Sequence, residues 1–236
     1  MLLSSILTLS SEDWQAVGLS LRVSLLAVLV SLPFGVGLGW LLARKRFVGK
    51  SVVETLVNMP LVLPPVVTGY VLLIGLGQTG WIGAFLQEAF GWKVALTWRA
   101  AVLAVAVMGF PLLVRAMRLA FQGLDPRLFQ AARSLGASPL NAFFTVSLPL
   151  ARNGVIASVM LTFARGMGEF GATLMFAGDQ EETRTLAIQI FDLQKSPKEA
   201  DEQRMWGLVL VSALLAFAAL AGSEYLERRG RRRETA

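Results

Sequence analysis

Five apolar stretches, separated by segments that carry most of the charged residues, dominate the pattern of this chain. A helix that crosses a bilayer needs about 20 mostly apolar residues, and the first stretch holds no charge between residues 23 and 42. The third stretch is the shortest, but the long side chains of Arg99 and Arg115 at its ends can reach the membrane interfaces. The pattern predicts an all-α polytopic membrane protein, with residues 1–236 as one transmembrane domain. The predicted spans are residues 20–43, 55–76, 99–116, 153–176 and 205–223.

Residues 125–149, between the third and fourth stretches, carry a different pattern. Asp-Pro at 125–126 and Ser-Pro at 138–139 are typical helix starts, and Gly136 is a typical helix end. We expect Pro149 to close the second helix. Each helix would be about 15 Å long at 1.5 Å per residue, half the thickness of the hydrocarbon core. The segment therefore predicts a short helical hairpin that does not cross the membrane.

The composition agrees with a membrane protein and excludes several kinds of chemistry. Hydrophobic residues make up 55% of the 236 residues, and the mean hydropathy is +0.60, more apolar than a soluble domain requires. The chain has no Cys and no His, which excludes disulfides, thiol catalysis and imidazole ligands. We predict a subunit that is not an enzyme and that binds no cofactor or metal.

The basic residues indicate an orientation. Three clusters, after the first stretch, between the third and fourth, and at the C-terminus, hold 14 of the 22 Lys and Arg residues. Because such clusters collect on the cytoplasmic side, we predict a cytoplasmic C-terminus and hairpin and an N-terminus outside. Residues 178–204, with seven acidic and four basic residues, fall outside. The clusters lie beside apolar stretches rather than on one face, so they do not indicate nucleic-acid binding.

The hairpin resembles a known coupling element. Gln-Ala-Ala at 130–132, three residues, Gly136, nine residues and Val-Ser-Leu-Pro at 146–149 are similar to the coupling loop of ABC-importer permeases, which docks on an ATPase subunit. That loop has Glu in place of Gln130 and Ile in place of Val146. From the pattern alone, an interfacial helix on lipid headgroups remains an equal alternative. The resemblance implies ATPase coupling by Gln130, Ala131, Ala132, Gly136, Ser138, Val146, Leu148 and Pro149. The residue pattern itself offers Phe129, Phe143 and Phe144 as apolar anchors for another protein's surface.

Two further blocks resemble the molybdate branch of these permeases: "MPLVLPPVVTGYVLL" at 59–73 and "ARGMGEFGATLMFAG" at 164–178. The resemblance implies the ABC-importer permease fold in a bacterial or archaeal cytoplasmic membrane. It also implies a homodimer that works with two ATPase subunits, which hold ATP and Mg²⁺, and with an extracytoplasmic molybdate-binding protein. Sulfate, thiosulfate or tungstate remains an alternative substrate.

Two anomalies within the apolar stretches indicate where a substrate could pass. Pro64 and Pro65 cannot both lie in an unbroken helix, and interrupted helices tend to line cavities; a kink that only aids packing is the alternative. Arg165 and Glu169 lie one helical turn apart, and we expect a self-satisfying ion pair rather than an anion site. The pathway candidates are Pro60, Pro64, Pro65, Thr68, Gly69, Glu169, Gly171 and Thr173, and the candidates for outer docking are Gln189 and Ile190.

Other functions fit less well. Gly-Lys-Ser at 49–51 lacks the preceding glycine and strand of a phosphate-binding loop, so we expect energy from a partner. A secondary transporter or channel would be expected to contain an internal inverted repeat or more spans. A membrane scaffold would leave the paired prolines unexplained.

Overall fold

The structure is a computed structural model that describes residue 6 and residues 8–234, without the side chains of residues 223 and 226–234. The C-terminal arginines, which served as an orientation signal, therefore lie outside the described side chains. The described residues form helices and no strand, which confirms the all-α prediction. The α-helices are α1 Ser11–Arg44, α2 Lys50–Val62, α3 Pro65–Leu76, α4 Trp81–Phe90, α5 Trp98–Gln122, α6 Pro126–Ser134, α7 Pro139–Ala142, α8 Leu148–Leu150, α9 Arg152–Met167, α10 Gly171–Ala177, α11 Leu186–Lys195 and α12 Glu199–Glu234. A π-helical turn, Phe143–Ser147, joins α7 to α8.

Helix α1 starts at a reciprocal cap. Ser10 Oγ accepts a hydrogen bond from the Asp13 N–H at 3.4 Å, and the Asp13 carboxylate accepts one from the Ser10 N–H at 2.9 Å. These bonds satisfy donors that a helix start would otherwise leave unpaired. The helix then continues for 34 residues, about 51 Å at 1.5 Å per residue. It begins well before the predicted first span, 20–43, and is longer than a hydrocarbon core of about 30 Å.

Helices α1 and α5 form the centre of the bundle. Their contact is lined by small residues, and a Cβ on Gly35 would lie 2.6 Å from Leu113 Cδ2. At Gly39 the added Cβ would lie 2.6 Å from Met117 Cβ. Small side chains let membrane helices approach closely without a hydrophobic driving force. Helix α9 packs against α1, α5 and α12, and the α3–α10 pair completes the bundle.

The membrane-crossing candidates comprise three long helices and two bent pairs. Among the described residues, α1, α5 and residues 199–222 of α12 are long and apolar enough to cross a bilayer. The pairs are α2 with α3, bent by 113°, and residues 139–150 with α9, bent by 72°. The total is five only if each bent pair counts as one span, so the predicted count of five remains a prediction.

The fourth predicted span, 153–176, is not one helix. Helix α9 ends at Met167, and α10 begins only at Gly171. The Glu169 carboxylate accepts a hydrogen bond from the Ala172 N–H at 3.1 Å, at the start of α10. A carboxylate that caps a new helix start stabilises the break, which sequence periodicity did not reveal.

Candidate coupling hairpin and translocation pathway

Both helices of the hairpin begin where the sequence predicts. The Asp125 carboxylate accepts a hydrogen bond from the Arg127 N–H at 2.9 Å, and Ser138 Oγ accepts one from the Asn141 N–H at 3.1 Å. In each case proline follows the capping residue and supplies a favourable first helical position. Gly136 has φ of +90°, the left-handed conformation typical of a residue that follows a helix end. The two start signals and the end signal are confirmed.

The end of the hairpin differs from the prediction. Pro149 does not close the second helix, because the chain continues through the π-helical turn and α8 to Leu150. The 72° bend comes between Leu150 and Arg152. Proline lacks an N–H and its ring crowds the carbonyl four residues earlier. A widened turn directly before Pro149 avoids that crowding, so the helical path survives the proline.

An aromatic cluster attaches the hairpin to the bundle. The ring of Trp40 on α1 lies 6.0 Å from that of Phe129 and 5.5 Å from that of Phe143. Nearby, the Arg44 guanidinium donates a hydrogen bond to the Leu124 carbonyl at 2.7 Å. Phe129 and Phe143 therefore contact their own chain, which corrects their prediction as anchors for a partner.

The outer surface of the hairpin exposes three large apolar side chains among polar ones. Leu135 is 89% exposed, Leu140 71% and Phe144 60%. The sequence pattern places Leu135 and Leu140 on the apolar stripes of the two helices, but it did not identify them as contact residues. Of the predicted coupling residues, Gln130, Ala131, Gly136, Ser138 and Pro149 are exposed, and Ala132, Val146 and Leu148 are half-buried.

The paired prolines interrupt the helix predicted for residues 55–76, and this interruption is confirmed. Helix α2 ends at Val62, Pro64 precedes α3, and Pro65 is its first residue. Pro60 lies inside α2. None of the residues of α2 is buried, so α2 is held to the rest of the chain by few contacts.

Two polar contacts hold α2 against α5. The Arg118 guanidinium lies 2.9 Å from Glu54 Oε1, and the Arg115 guanidinium donates a hydrogen bond to Asn58 Oδ1 at 2.9 Å. The two acceptors lie one turn apart on α2 and the two donors one turn apart on α5. Glu54, the one charge between residues 51 and 87, was a signal that could have identified this contact.

Helices α3 and α10 cross at very close range. A Cβ on Gly69 would lie 2.6 Å from the Ala172 carbonyl oxygen, and one on Gly171 would lie 3.0 Å from Pro65 Cβ. Thr68 and Thr173 are buried at the same crossing, and within the described chain neither hydroxyl makes a hydrogen bond. The structure thus brings together pathway candidates from two distant parts of the sequence.

The charged pair near this crossing is satisfied locally. An Arg165 nitrogen lies 2.9 Å from Glu169 Oε2, and the other Glu169 oxygen accepts the Ala172 N–H. Glu169 is only 3% exposed. The predicted pairing is confirmed, but it does not lie within one helix as expected, because α9 ends at Met167 and Glu169 stands in the break before α10. Its carboxylate supports the chain between α9 and α10.

The end of the bundle opposite the hairpin contains a buried polar network. Asp13 has no exposed surface; its oxygens lie 2.8 and 3.0 Å from Arg204 nitrogens and accept a hydrogen bond from the Gln189 amide at 2.8 Å. The Leu186 N–H, at the start of α11, donates to Ser20 Oγ at 2.7 Å. These contacts join α1, α11 and α12. We call residues 8–20 and 178–204 the cap.

The cap corrects one docking candidate. Gln189 is 3% exposed and is engaged with Asp13, so its side chain is not available to a partner. Ile190 is half-buried against the apolar cluster around Leu186 and Leu208. Both residues lie on the face of α11 that packs against the bundle. The short amphipathic pattern in the sequence did not show which face of α11 would be the inner one.

The exposed side of the cap carries a second charged cluster. Arg184 Nε lies 2.9 Å from Asp179 Oδ1 and 3.5 Å from Asp192 Oδ2. The hydrogen bond to Asp179 raises the pKa of Arg184. Burial and the neighbouring Asp179 carboxylate raise the pKa of Asp192. The cluster fixes the loop of residues 178–185 against α11.

The fold is that of ABC-transporter membrane chains. A solved bacterial alginate ABC transporter, in complex with its alginate pentasaccharide-bound periplasmic protein, matches with a TM-score of 0.71 at 15% identity, over 93% of this chain and 80% of that chain. An amino acid ABC transporter with histidines matches with a TM-score of 0.62 at 20% identity, over 92% and 94%. At such identities the likeness concerns the fold alone.

The sequence comparisons define the family. Residues 35–232 match the family described as "Binding-protein-dependent transport system inner membrane component", and the chain belongs to this family. It is 49% identical over 226 residues to the molybdenum transport system permease protein ModB of Escherichia coli strain K12, covering 95% of this chain and 98% of that protein. ModB of Haemophilus influenzae is 44% identical over 215 residues, covering 91% and 93%. The sulfate transport system permease protein CysW of Synechocystis is 32% identical over 217 residues, covering 89% and 76%.

Proposed function

We propose that this chain is the permease subunit of an ATP-driven molybdate importer. Two copies would form the passage, two ATPase subunits would bind the hairpins and hydrolyse ATP with Mg²⁺, and an extracytoplasmic binding protein would deliver molybdate. The observation that carries the proposal is the 49% identity to a molybdenum permease along 95% of the chain. A likeness of this extent leaves no large segment to supply a different activity.

The hairpin supports the coupling role. Its outer surface exposes Leu135, Leu140 and Phe144, whereas its inner aromatic rings are fixed to Trp40. A helical element that is anchored on one side and apolar on the other suits a helix-in-groove contact with another protein. Because α5 leads directly into this hairpin, a movement of the ATPase surface would act on the centre of the bundle.

The broken span supports the passage. The break before Pro64 and the close α3–α10 crossing place backbone carbonyls and the hydroxyls of Thr68 and Thr173 within the bundle. Arg165 is engaged by Glu169, so its charge is largely neutralised. A path with polar groups and few fixed cations suits release of a dianion, because tight binding within a pore slows conduction. ATP binding would drive transport by favouring one arrangement of the two subunits over another.

The orientation belongs to the same proposal. The hairpin and the C-terminus would lie in the cytoplasm, and the N-terminus and the cap would lie outside the cytoplasmic membrane. Single cysteines in the cysteine-free chain test this arrangement, with Ser138→Cys on the hairpin and Glu182→Cys on the exposed part of the cap. We expect an impermeant thiol reagent added outside intact cells to label only Glu182→Cys. Labelling of both variants from outside would refute the orientation.

Transport measurements test the function itself. The chain is reconstituted in liposomes with its ATPase subunit and binding protein, and uptake of radiolabelled molybdate is measured with ATP inside. We expect accumulation that requires ATP and both partners. Accumulation against a gradient by the chain without an ATPase would instead support a secondary transporter and refute the proposal.

The likeness to a sulfate permease favours a specific second candidate. Molybdate, tungstate and sulfate are tetrahedral dianions, so the same passage could accept each of them. Competition with unlabelled tungstate and sulfate distinguishes the substrates. We expect molybdate and tungstate to reduce uptake of the labelled ion at lower concentrations than sulfate, and the reverse order would favour a sulfate permease.

A further inference from the structure

The short helix α4 exposes an aromatic face. Trp81 is 81% exposed and Phe85 62%, and the two lie one turn apart on the same face. On the other side, Gly83 is buried against the backbone carbonyls of Leu76 and Gly77 at the end of α3. Helix α4 therefore has one face fixed to the broken span and one face that the described chain leaves uncovered.

Charged residues on α1 define the depth of the bilayer. Arg22 and Arg44 are 22 residues apart and enclose a charge-free segment. This distance is about 33 Å at 1.5 Å per residue, which matches a hydrocarbon core of about 30 Å. Arg44 marks the hairpin end through its hydrogen bond to the Leu124 carbonyl. Arg22 marks the other boundary, where its guanidinium lies 4.6 Å from the centre of the Trp98 ring.

Helix α4 lies at the boundary that Arg22 marks. Leu76 at the end of α3, Val94 after α4 and Trp98 at the start of α5 pack against the same core cluster. At ten residues, α4 is about 15 Å long and cannot cross the membrane. Its position between Leu76 and Trp98 therefore keeps the whole helix near the membrane surface.

The surroundings of α4 match the chemistry of phospholipid headgroups. Trp92 is 58% exposed and stands beside exposed Lys93, and exposed Arg99 follows Trp98. Tryptophan places its ring among the acyl chains and its N–H among the headgroups. Lys and Arg side chains next to such rings reach the phosphates. Glu88, which is also exposed and lies one turn from Phe85, adds one carboxylate to this face. With Lys93 and Arg99, the charges around the aromatic rings remain net positive, which is complementary to a lipid interface.

We propose that the aromatic face of α4 docks on the phospholipid interface of the leaflet opposite the hairpin. The helix would hold the end of α3 at a fixed depth, independently of α2, which has no buried residue. The bend between α2 and α3 would then separate α3, which α4 anchors, from α2, which few contacts hold. This inference requires only that the chain lies in a bilayer, and it does not depend on the substrate.

The absence of cysteine in the sequence allows a direct test. Trp81→Cys and Phe85→Cys are labelled separately with a nitroxide, and the assembled transporter is placed in nanodiscs of phosphatidylcholine and phosphatidylglycerol. Spin-label relaxation then measures access of oxygen, which concentrates in lipid, and of a nickel chelate, which stays in water. Leu29→Cys, at an exposed position in the middle of α1, and Gln194→Cys, on the exposed face of α11, serve as references for the hydrocarbon core and for water.

We expect both α4 labels to be more accessible to oxygen than to the nickel chelate, at a depth between the two references. Stronger access of the chelate, as at Gln194→Cys, would place α4 in water and overturn the proposal. Dipolar broadening between two labels would indicate a second copy, and a change on adding the binding protein would indicate a protein partner; either overturns it. Co-purification of the ATPase subunit checks the fold of each variant, and Trp92→Cys replaces any variant that fails this check.

Discussion

The cap and the hairpin lie at opposite ends of one bundle, and they differ in how their side chains are covered. In the cap, Asp13 is fully buried and Arg204 and Gln189 supply its hydrogen bonds. In the hairpin, Leu135 and Leu140 are largely exposed. Water solvates charge well and apolar surface poorly. The charges of the cap are therefore satisfied within one chain, whereas the hairpin leaves apolar side chains that the chain itself does not cover.

The largest effect on stability is expected from a substitution that breaks the buried network of the cap. Removing one partner of a buried ion pair typically costs about 3–5 kcal/mol when the other charge is left buried and unpaired. Arg204 keeps Asp201 at 3.1 Å and its side chain is 21% exposed, so we expect a smaller loss. Asp13→Ala should lower the free energy of unfolding by about 2–3 kcal/mol, measured by thermal unfolding in detergent. The control is Glu12→Ala, whose side chain is 70% exposed and 3.8 Å from Arg204; it should cost under about 1 kcal/mol. Equal losses would contradict a network centred on Asp13.

A smaller effect is expected at the crossing of α3 and α10, between the two ends. A Cβ on Gly69 would meet the Ala172 backbone at 2.6 Å, whereas a Cβ on Gly75 of the same helix meets nothing within 4 Å. We expect Gly69→Ala to cost about 1–3 kcal/mol through overpacking. Gly75→Ala should be neutral or slightly stabilising, since alanine favours helix more than glycine. Thermal unfolding measures both variants, and equal stabilities would contradict the close crossing.

Within the hairpin, removal of the side chain that begins α6 should have a modest and local effect. Asp125→Ala removes the acceptor of the Arg127 N–H, which should cost about 1 kcal/mol. We expect faster amide hydrogen exchange in the first turn of α6 and unchanged exchange in the cap. Asp125→Asn retains an acceptor and should restore most of the protection. Loss of protection throughout the bundle would show that the hairpin is not an independent unit.

The smallest effect on stability is expected at the apolar surface of the hairpin. Leu135→Ser and Leu140→Ser together should change the free energy of unfolding by no more than about 0.5 kcal/mol for each substitution, as is usual for exposed positions. We expect the same variant to lose co-purification with the ATPase subunit, because the contact loses two apolar side chains. Leu135→Met with Leu140→Met keeps that surface apolar and should retain binding. Full ATPase binding by the serine variant would show that Leu135 and Leu140 do not take part in coupling.

Local signals predicted much of the fold. Asp125, Ser138 and Gly136 act through neighbours two or three residues away, so sequence spacing was sufficient to place the hairpin. The prolines at 64 and 65 broke the second span for an equally local reason. The pairing of Arg165 with Glu169 was also predicted from their spacing of four residues, although Glu169 lies beyond the end of α9.

The features that sequence reasoning did not find depend on distant contacts. Gln189 looked like a surface residue, but its partner Asp13 is 176 positions away in the sequence. Phe129 and Phe143 were predicted to contact a partner, but in the structure both rings pack against Trp40 of α1. The break after α9 depends on how Glu169 turns back to cap α10. Hydrophobic periodicity reports which faces are apolar, and it does not report which neighbour covers each face.

The π-helical turn at Phe143–Ser147 has a consequence for how the hairpin is linked to the bundle. A π-turn holds one residue more than an α-helical turn, and one residue corresponds to about 100° of rotation around a helix axis. The extra residue therefore sets the angular register between the surface that carries Phe144 and the segment that enters the membrane after Leu150. A deletion of one residue that restored an ordinary helix there would keep both surfaces but would rotate one relative to the other by about 100°.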